Sequence, residues 1–168
     1  GQLRFRFFAG VDAEAKQTID DVKNVLKDLN AEIVSEEAAG GTYRMIVTFD
    51  GPIQKFSYAV EHAATVSSIG TSLDIIKDIG TAEEVDERFD VQSRKGTHGV
   101  GHVRMATESD VTPEAAHPFW ATGFADIAIV HNGQITNYWK MRRRLEQQGF
   151  EFRTENDSEI IAVFLAEK

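Results

Sequence analysis

The side chains best suited to chemistry crowd into one stretch, from Gly96 to Gly133. It reads GTHGVGHVRMATES, then HPFW, then DIAIVHNG, and gathers His, Arg, Thr, Glu and Asn at expected strand ends and turns. Arg104 lies among Val103, Met105 and Ala106, a setting that predicts burial. A buried guanidinium needs an anion. That anion is either an internal carboxylate or the carboxylate of a ligand held in a bidentate grip. Thr107, three residues on, can add a hydroxyl to the same carboxylate. Asn132-Gly133 ends an apolar run and reads in two ways. One is a type I′ hairpin turn. The other is a side-chain amide beside a glycine N–H, two donors for a developing oxyanion. A helix and not a returning strand is expected next, which weakens the hairpin reading. Asp157 reads as a helix N-cap, and its second oxygen is free to hold a ligand ammonium.

Metal chemistry is disfavoured. His98 and His102 are four residues apart, but the glycines and valines around them predict a strand. On a strand the two imidazoles would lie roughly 13 Å apart, too far for one ion. His117 and His131 read as hydrogen-bonded supports near strand ends. No cofactor is expected within these residues.

These side chains need a scaffold. Leu3 to Phe8 alternates as a half-buried strand, with Leu3, Phe5 and Phe7 on one side and Arg4, Arg6 and Phe8 on the other. Asp12 is a candidate N-cap for a helix over 13–29, whose Ile19, Val22, Leu26 and Leu29 share a face. A short strand is expected from residue 31 and another over Tyr43 to Phe49, ended by Asp50-Gly51-Pro52. Together these make a βαβ-like unit of about fifty residues. It lacks a phosphate-binding glycine fingerprint. A helix is expected around 54–66, a small-residue link over 67–72, and a short amphipathic helical turn over 72–78. Thr81 and Glu84 form a capping-box pattern for the next helix. Val100 to Met105 is expected as a strand that places His98, Val100, His102 and Arg104 on one face. Ile127 to Val130 is a further strand. A helix over 135–148 ends at Gly149. Phe150 and Phe152 alternate as a strand, and Asp157 or Ser158 caps the last helix.

Composition narrows the classes. The 168 residues suit one domain or one domain with an insertion. A net charge of -9, from 18 basic and 27 acidic residues, argues against a nucleic-acid partner. The one basic cluster, Arg142 to Arg144, reads as a solvated helix face. No apolar run is long enough for a membrane span, and no signal segment opens the chain. Cysteine is absent, which fits a reducing cytoplasm and excludes a thiol nucleophile from these residues.

Three segments, GHVRMAT, AHPF and IVHNGQITNYWKMRRRLEQQGFEFRTENDSEII, resemble the glutaminase domain of class II, N-terminal-nucleophile glutamine amidotransferases. DIIKDIGTAEEVDERF, ahead of them, is more similar to the glutamate-synthase-like branch than to the sugar or purine branches. The resemblance implies an α+β fold of αββα sandwich type, with the βαβ-like module inserted. It divides the chain into residues 1–95, which hold that module, and residues 96–168, the glutaminase core. It implies hydrolysis of glutamine, with ammonia passed to a synthase domain or subunit. By motif, Arg104 would hold the α-carboxylate with Thr107 beside it, and Asp157 the α-ammonium. Asn132 and Gly133 would form the oxyanion hole, and His117 and His131 would support the loops.

The sequence also departs from that family. The family's nucleophile is a cysteine at the mature N-terminus, whose own amine serves as base. This chain starts at Gly1 and has none. Met105 stands where the family usually has Trp. Two explanations are open: a missing N-terminal segment that carries the cysteine, or a degenerate domain that binds without catalysis. The intact clamp and oxyanion motifs favour the first. The alternative function is a non-catalytic amino-acid-binding or regulatory subunit of a synthase complex.

Overall fold

The structure is a computed structural model that describes residues 1–103 and 112–168. Its first seventy residues form β1 (Gln2–Phe8), α1 (Asp12–Asp28), β2 (Glu32–Ala39), β3 (Thr42–Thr48), α2 (Ile53–Ala63) and β4 (Val66–Gly70). The sheet order is β2-β3-β1-β4, and every pairing is antiparallel. This is a split βαβ, ferredoxin-like arrangement. It extends and corrects the βαβ-like unit of fifty residues read from sequence. The 67–72 link is largely strand β4, buried throughout. Ser67, Ser68 and Gly70 carry no β-branched signal, so their strand character comes from pairing with β1.

Alternation on β1 explains the core. Leu3, Phe5 and Phe7 pack with Met45 and Val47 of β3 and with Val22, Leu26, Phe56 and Val60 of the two helices. Phe5 meets Phe56 edge-on at 5.5 Å between ring centroids. The opposite face of β1 is not solvated as expected, because Arg6 is fully buried there. Its guanidinium donates to both oxygens of Asp74, at 2.8 and 2.9 Å, and to Thr42 Oγ1 at 3.0 Å.

Residues 71–80 cover that face without helical structure, which overturns the turn expected over 72–78. Asp126 holds the segment open. Its carboxylate accepts from the backbone N–H groups of Thr71, Ser72 and Leu73, each at 2.8 Å, and from two hydroxyls. Those five bonds keep its pKa well below the usual carboxylate range despite the opposing effect of burial.

The second half holds α3 (Ala82–Phe89), a two-stranded antiparallel pair β5 (Phe119–Trp120) and β6 (Ala128–Ile129), α4 (Tyr138–Gln147) and α5 (Asp157–Glu167). Thr81 and Glu84 make the expected capping box on α3. Gly149 follows α4 with φ +90°, the left-handed position that favours glycine. Residues 100–103 are not strand, because Gly96, Gly99 and Gly101 raise the entropic cost of extension. The rest of that expected strand lies outside the described residues. Phe150 and Phe152 are irregular, yet both pack against the second core around Leu145, Ile160 and Val163. Arg142 is not simply solvated either. It donates to Glu146, Tyr138 and the Thr154 carbonyl, and its guanidinium lies over the Phe152 ring.

The chain is therefore α+β with antiparallel sheets. Its halves are joined by Trp120, which enters the first core, and by the bond from Gly123 N–H to Ser57 Oγ at 3.0 Å. Tyr58 adds a third tie as its hydroxyl accepts from Glu151 N–H at 3.2 Å.

Candidate functional site

The N-terminus of α5 organises the site. Asn156 is the N-cap, and its side chain accepts from Ser158 N–H at 2.9 Å. This corrects the expectation that Asp157 or Ser158 caps the helix. With the cap taken by Asn156, the next three side chains fasten the surrounding loops.

Asp157 accepts from Ile135 N–H through Oδ2 at 2.8 Å. Its Oδ1 lies 3.8 Å from His131 Nδ1, and the side chain keeps 21% of its surface exposed. One oxygen thus anchors the turn after Gly133 while the other faces the His131 ring. Ser158 is buried, and its hydroxyl lies 2.9 Å from His117 Nε2 and 3.2 Å from His131 Nδ1. Glu159, also buried, accepts from the N–H groups of Arg153 and Thr154 and from the Thr154 hydroxyl, at 2.7 to 2.8 Å. Acidic Asp157 and Glu159 also suit the positive end of the helix dipole.

The turn that follows β6 carries Asn132 and Gly133, both exposed. A Cβ at Gly133 would come within 2.8 Å of His131 Nε2. A larger residue there would make the His131 ring shift. His117 leans edge-on against Phe119, with 4.8 Å between ring centroids, and His102 lies 4.5 Å from it on the same measure.

The structure thus brings together Asp157, His131, His117 and the 132–133 turn. Arg104 and Thr107 lie outside the described residues. Among the described residues, no three His, Asp or Glu side chains gather as a metal shell. A cavity of about 690 Å³ opens between the β1–β3 face and residues 94–102 and reaches His102 and His117.

Behind the site, the two halves meet through buried charges. Glu61 of α2 pairs with Arg153. Burial pushes the Glu61 carboxyl up to about 7, against the pull of Arg153. Lys77 is buried over the Phe119 ring, 5.0 Å from its centroid, and burial brings its amine down to about 8. None of the three charged residues, Glu61, Lys77 and Arg153, stood out in the sequence, nor did Ser158 as more than a cap. The available signal was the D-S-E triplet directly before Ile160-Ile161, since an apolar run that begins in a helix's first turn buries that turn.

Residues 83–168 match the family described as glutamine amidotransferase domain. The chain is 50% identical over 97 residues to a putative glutamine amidotransferase of Methanothermobacter thermautotrophicus, covering 58% of this chain and 32% of that protein. It is 45% identical over 107 residues to the glutamine amidotransferase-like protein GlxB of Rhizobium meliloti, covering 64% and 35%. A glutamine--fructose-6-phosphate aminotransferase of Methanothermobacter thermautotrophicus is 37% identical over 109 residues, covering 65% and 18%. The chain therefore spans about a third or less of the length of these relatives. No solved structure matches.

Proposed function

The chain belongs to the class II glutamine amidotransferase domain family, and from that premise we propose that it holds glutamine for hydrolysis and belongs to an ammonia-supplying enzyme. The amide carbon–nitrogen bond breaks, ammonia leaves, and water completes glutamate. The reacting nucleophile is not among these 168 residues, which contain no cysteine. In this reading Arg104 and Thr107 bind the α-carboxylate, and Asp157 Oδ1 binds the α-ammonium. The Asn132 side chain and Gly133 N–H donate to the oxyanion as the amide carbon becomes tetrahedral. His117 and His131 hold the loops.

The observation that carries this reading is the relief of Asp157 from capping. Asn156 takes the cap, and Asp157, partly exposed, sits next to the 131–133 turn with only one of its oxygens bonded to Ile135 N–H. The finer parts of the proposal go together. They are a cysteine on a segment preceding Gly1, an αββα sandwich of which β5 and β6 form a fragment, residues 96–168 as the core unit, and a glutamate-synthase-like synthase partner in the cytoplasm. No helix among the described residues is long and apolar enough to cross a membrane.

Calorimetry with glutamine tests the proposal. Binding is expected to weaken at least tenfold in Asp157→Asn, because one charge-assisted contact is removed. Unchanged binding in that variant refutes the ammonium role. A second reading is a binding or regulatory subunit of a synthase complex without catalysis. Full-length protein that binds glutamine, carries an intact N-terminus and releases no ammonia would establish that alternative.

A further inference from the structure

We propose that the cavity between the β1–β3 face and residues 94–102 binds a small organic dianion, a phosphate ester or a dicarboxylate. At about 690 Å³ it lies within the range of small-molecule sites. None of Asp157, Asn132 and Gly133 lines it. Its ligand is therefore distinct from glutamine, and the inference does not rest on the glutamine reading.

Strand register gathers the charge. Arg4 and Arg6 alternate with the core residues of β1, and Arg6 sits opposite Arg44 on β3. These guanidinium groups therefore share one sheet face. Arg94 reaches the same place from the covering chain, within 3.4 Å of Glu37 and 3.9 Å of Asp74. Among the described residues, only Asp74 and Glu37 answer these cations. Asp74 gives both oxygens to buried Arg6, at 2.8 and 2.9 Å. Glu37 is shared between Arg44 and Arg94. Arg4 has neither a hydrogen bond nor an ion pair among the described residues, and the same holds for Lys95.

The chain as a whole carries -9, yet this cavity is cationic. Arg4, Arg44, Arg94 and Lys95 line it, and Asp74 is its single acid among the described residues. Arg4 is half-buried, and the walls of a cleft focus the field of like charges. An anion with two charges offsets that surplus. Guanidinium forks grip phosphate and carboxylate alike, through paired N–H donors. The remaining wall supplies Ile76, Val85 and Val91. A bare inorganic ion leaves those side chains uncovered, whereas an organic anion buries them. The arginines thus select the head of the ligand, and the apolar wall selects a carbon body.

Calorimetry on the 168-residue chain with phenyl phosphate, phthalate and inorganic phosphate tests the site. The first two match in carbon body and differ in head, so the tighter one identifies the head group. That ligand is expected to bind about tenfold or more tightly than inorganic phosphate, because only it covers the apolar wall. Arg4→Ala should weaken its binding about tenfold or more. Arg144→Ala removes the same charge from an exposed position on α4 and should change binding less than about twofold. Arg4 has no partner to lose, so the thermal midpoint of unliganded Arg4→Ala should not fall, which separates lost binding from lost folding. Lys95→Ala, on exposed chain, is a second variant and should weaken binding about threefold or more. Absence of binding by either organic anion at millimolar concentration overturns the proposal. So does inorganic phosphate bound as tightly as both, or equal weakening in Arg4→Ala and Arg144→Ala. Displacement of the bound anion by glutamine would assign the cavity to the substrate and overturn it as well. A chain that binds no glutamine but holds the anion fails the functional reading and leaves the anion site standing.

Discussion

Removing Asp74 should unfold this protein far more readily than removing Arg6, although the two are partners in one ion pair. In Asp74→Ala, Arg6 keeps its charge at a site with no solvent exposure. It loses the acceptors of its Nε and one terminal nitrogen, and among the described residues only the Thr42 hydroxyl at 3.0 Å and the Phe89 ring remain. An orphaned buried charge costs about 3–5 kcal/mol. In Arg6→Met the stranded group is a carboxylate that keeps 17% exposure. Arg44 and Arg94 remain near it at 3.7 and 3.9 Å. Methionine also refills much of the arginine volume, so about 1–2 kcal/mol is expected. Urea unfolding followed by fluorescence of buried Trp120 reads both values. Since a domain of this size has about 5–15 kcal/mol in total, the first variant should lose a large share of its midpoint. Equal losses, or a larger loss in Arg6→Met, would refute the assignment of the pair. The pH dependence gives a second check. Burial alone would raise the Asp74 pKa, but the bonds from Arg6 outweigh it and hold it below the usual range. The stabilisation is therefore full above the unfolded carboxylate pKa and is lost as pH falls through the folded one.

Three further outcomes are expected. Asp126→Ala should destabilise by about 1–2 kcal/mol, because three backbone N–H groups of residues 71–73 lose their acceptor at a site open to water; an unchanged thermal midpoint would contradict the latch. Lys77→Met should stabilise by roughly 1–3 kcal/mol at pH 7 and by much less at pH 10, since the folded lysine, at about 8, has shed its proton there; equal effects at both pH values would rule this out. Glu61→Gln should flatten the stability profile between about pH 4.5 and 7, where the parent loses stability as pH rises because its folded carboxyl, at about 7, binds a proton that the unfolded chain has released; a profile that keeps its slope would show that another group titrates.

The sequence speaks most clearly where structure is local. Period-two alternation finds β1, helical spacing finds α1, and Thr81 with Glu84 finds the start of α3. It is silent where a distant partner decides. β4 is made a strand by β1, more than sixty residues earlier by the Phe5–Ile69 pairing. Ile75 and Ile76 imitate a helical turn, yet Asp126 and Arg6 hold their segment open across the fold. Arg6 sits on what alternation marks as a polar face, and only Asp74 explains its burial. Near the start of α5, motif order singled out the 132–133 turn and Asp157, which the structure sets close together. Motif order could not assign the cap to Asn156 or the histidine bridge to Ser158, because both depend on which way α5 meets the histidine loops.

The antiparallel pairing of β1 with β4 sets Arg4 opposite Gly70, so the first and last strands of the ferredoxin-like unit run side by side in opposite senses. Chain entering at β1 and chain leaving at β4 do so from the same end of the sheet. The two ends of the unit therefore lie close together, and closing a loop between them would cost little. The same geometry makes the unit separable. Deletion of residues 1–70 should leave the second core around Leu145 and Ile160 its own packing, while removing the wall that Glu61 and Tyr58 provide behind α5. What the unit supplies to the rest of the chain is the support behind α5.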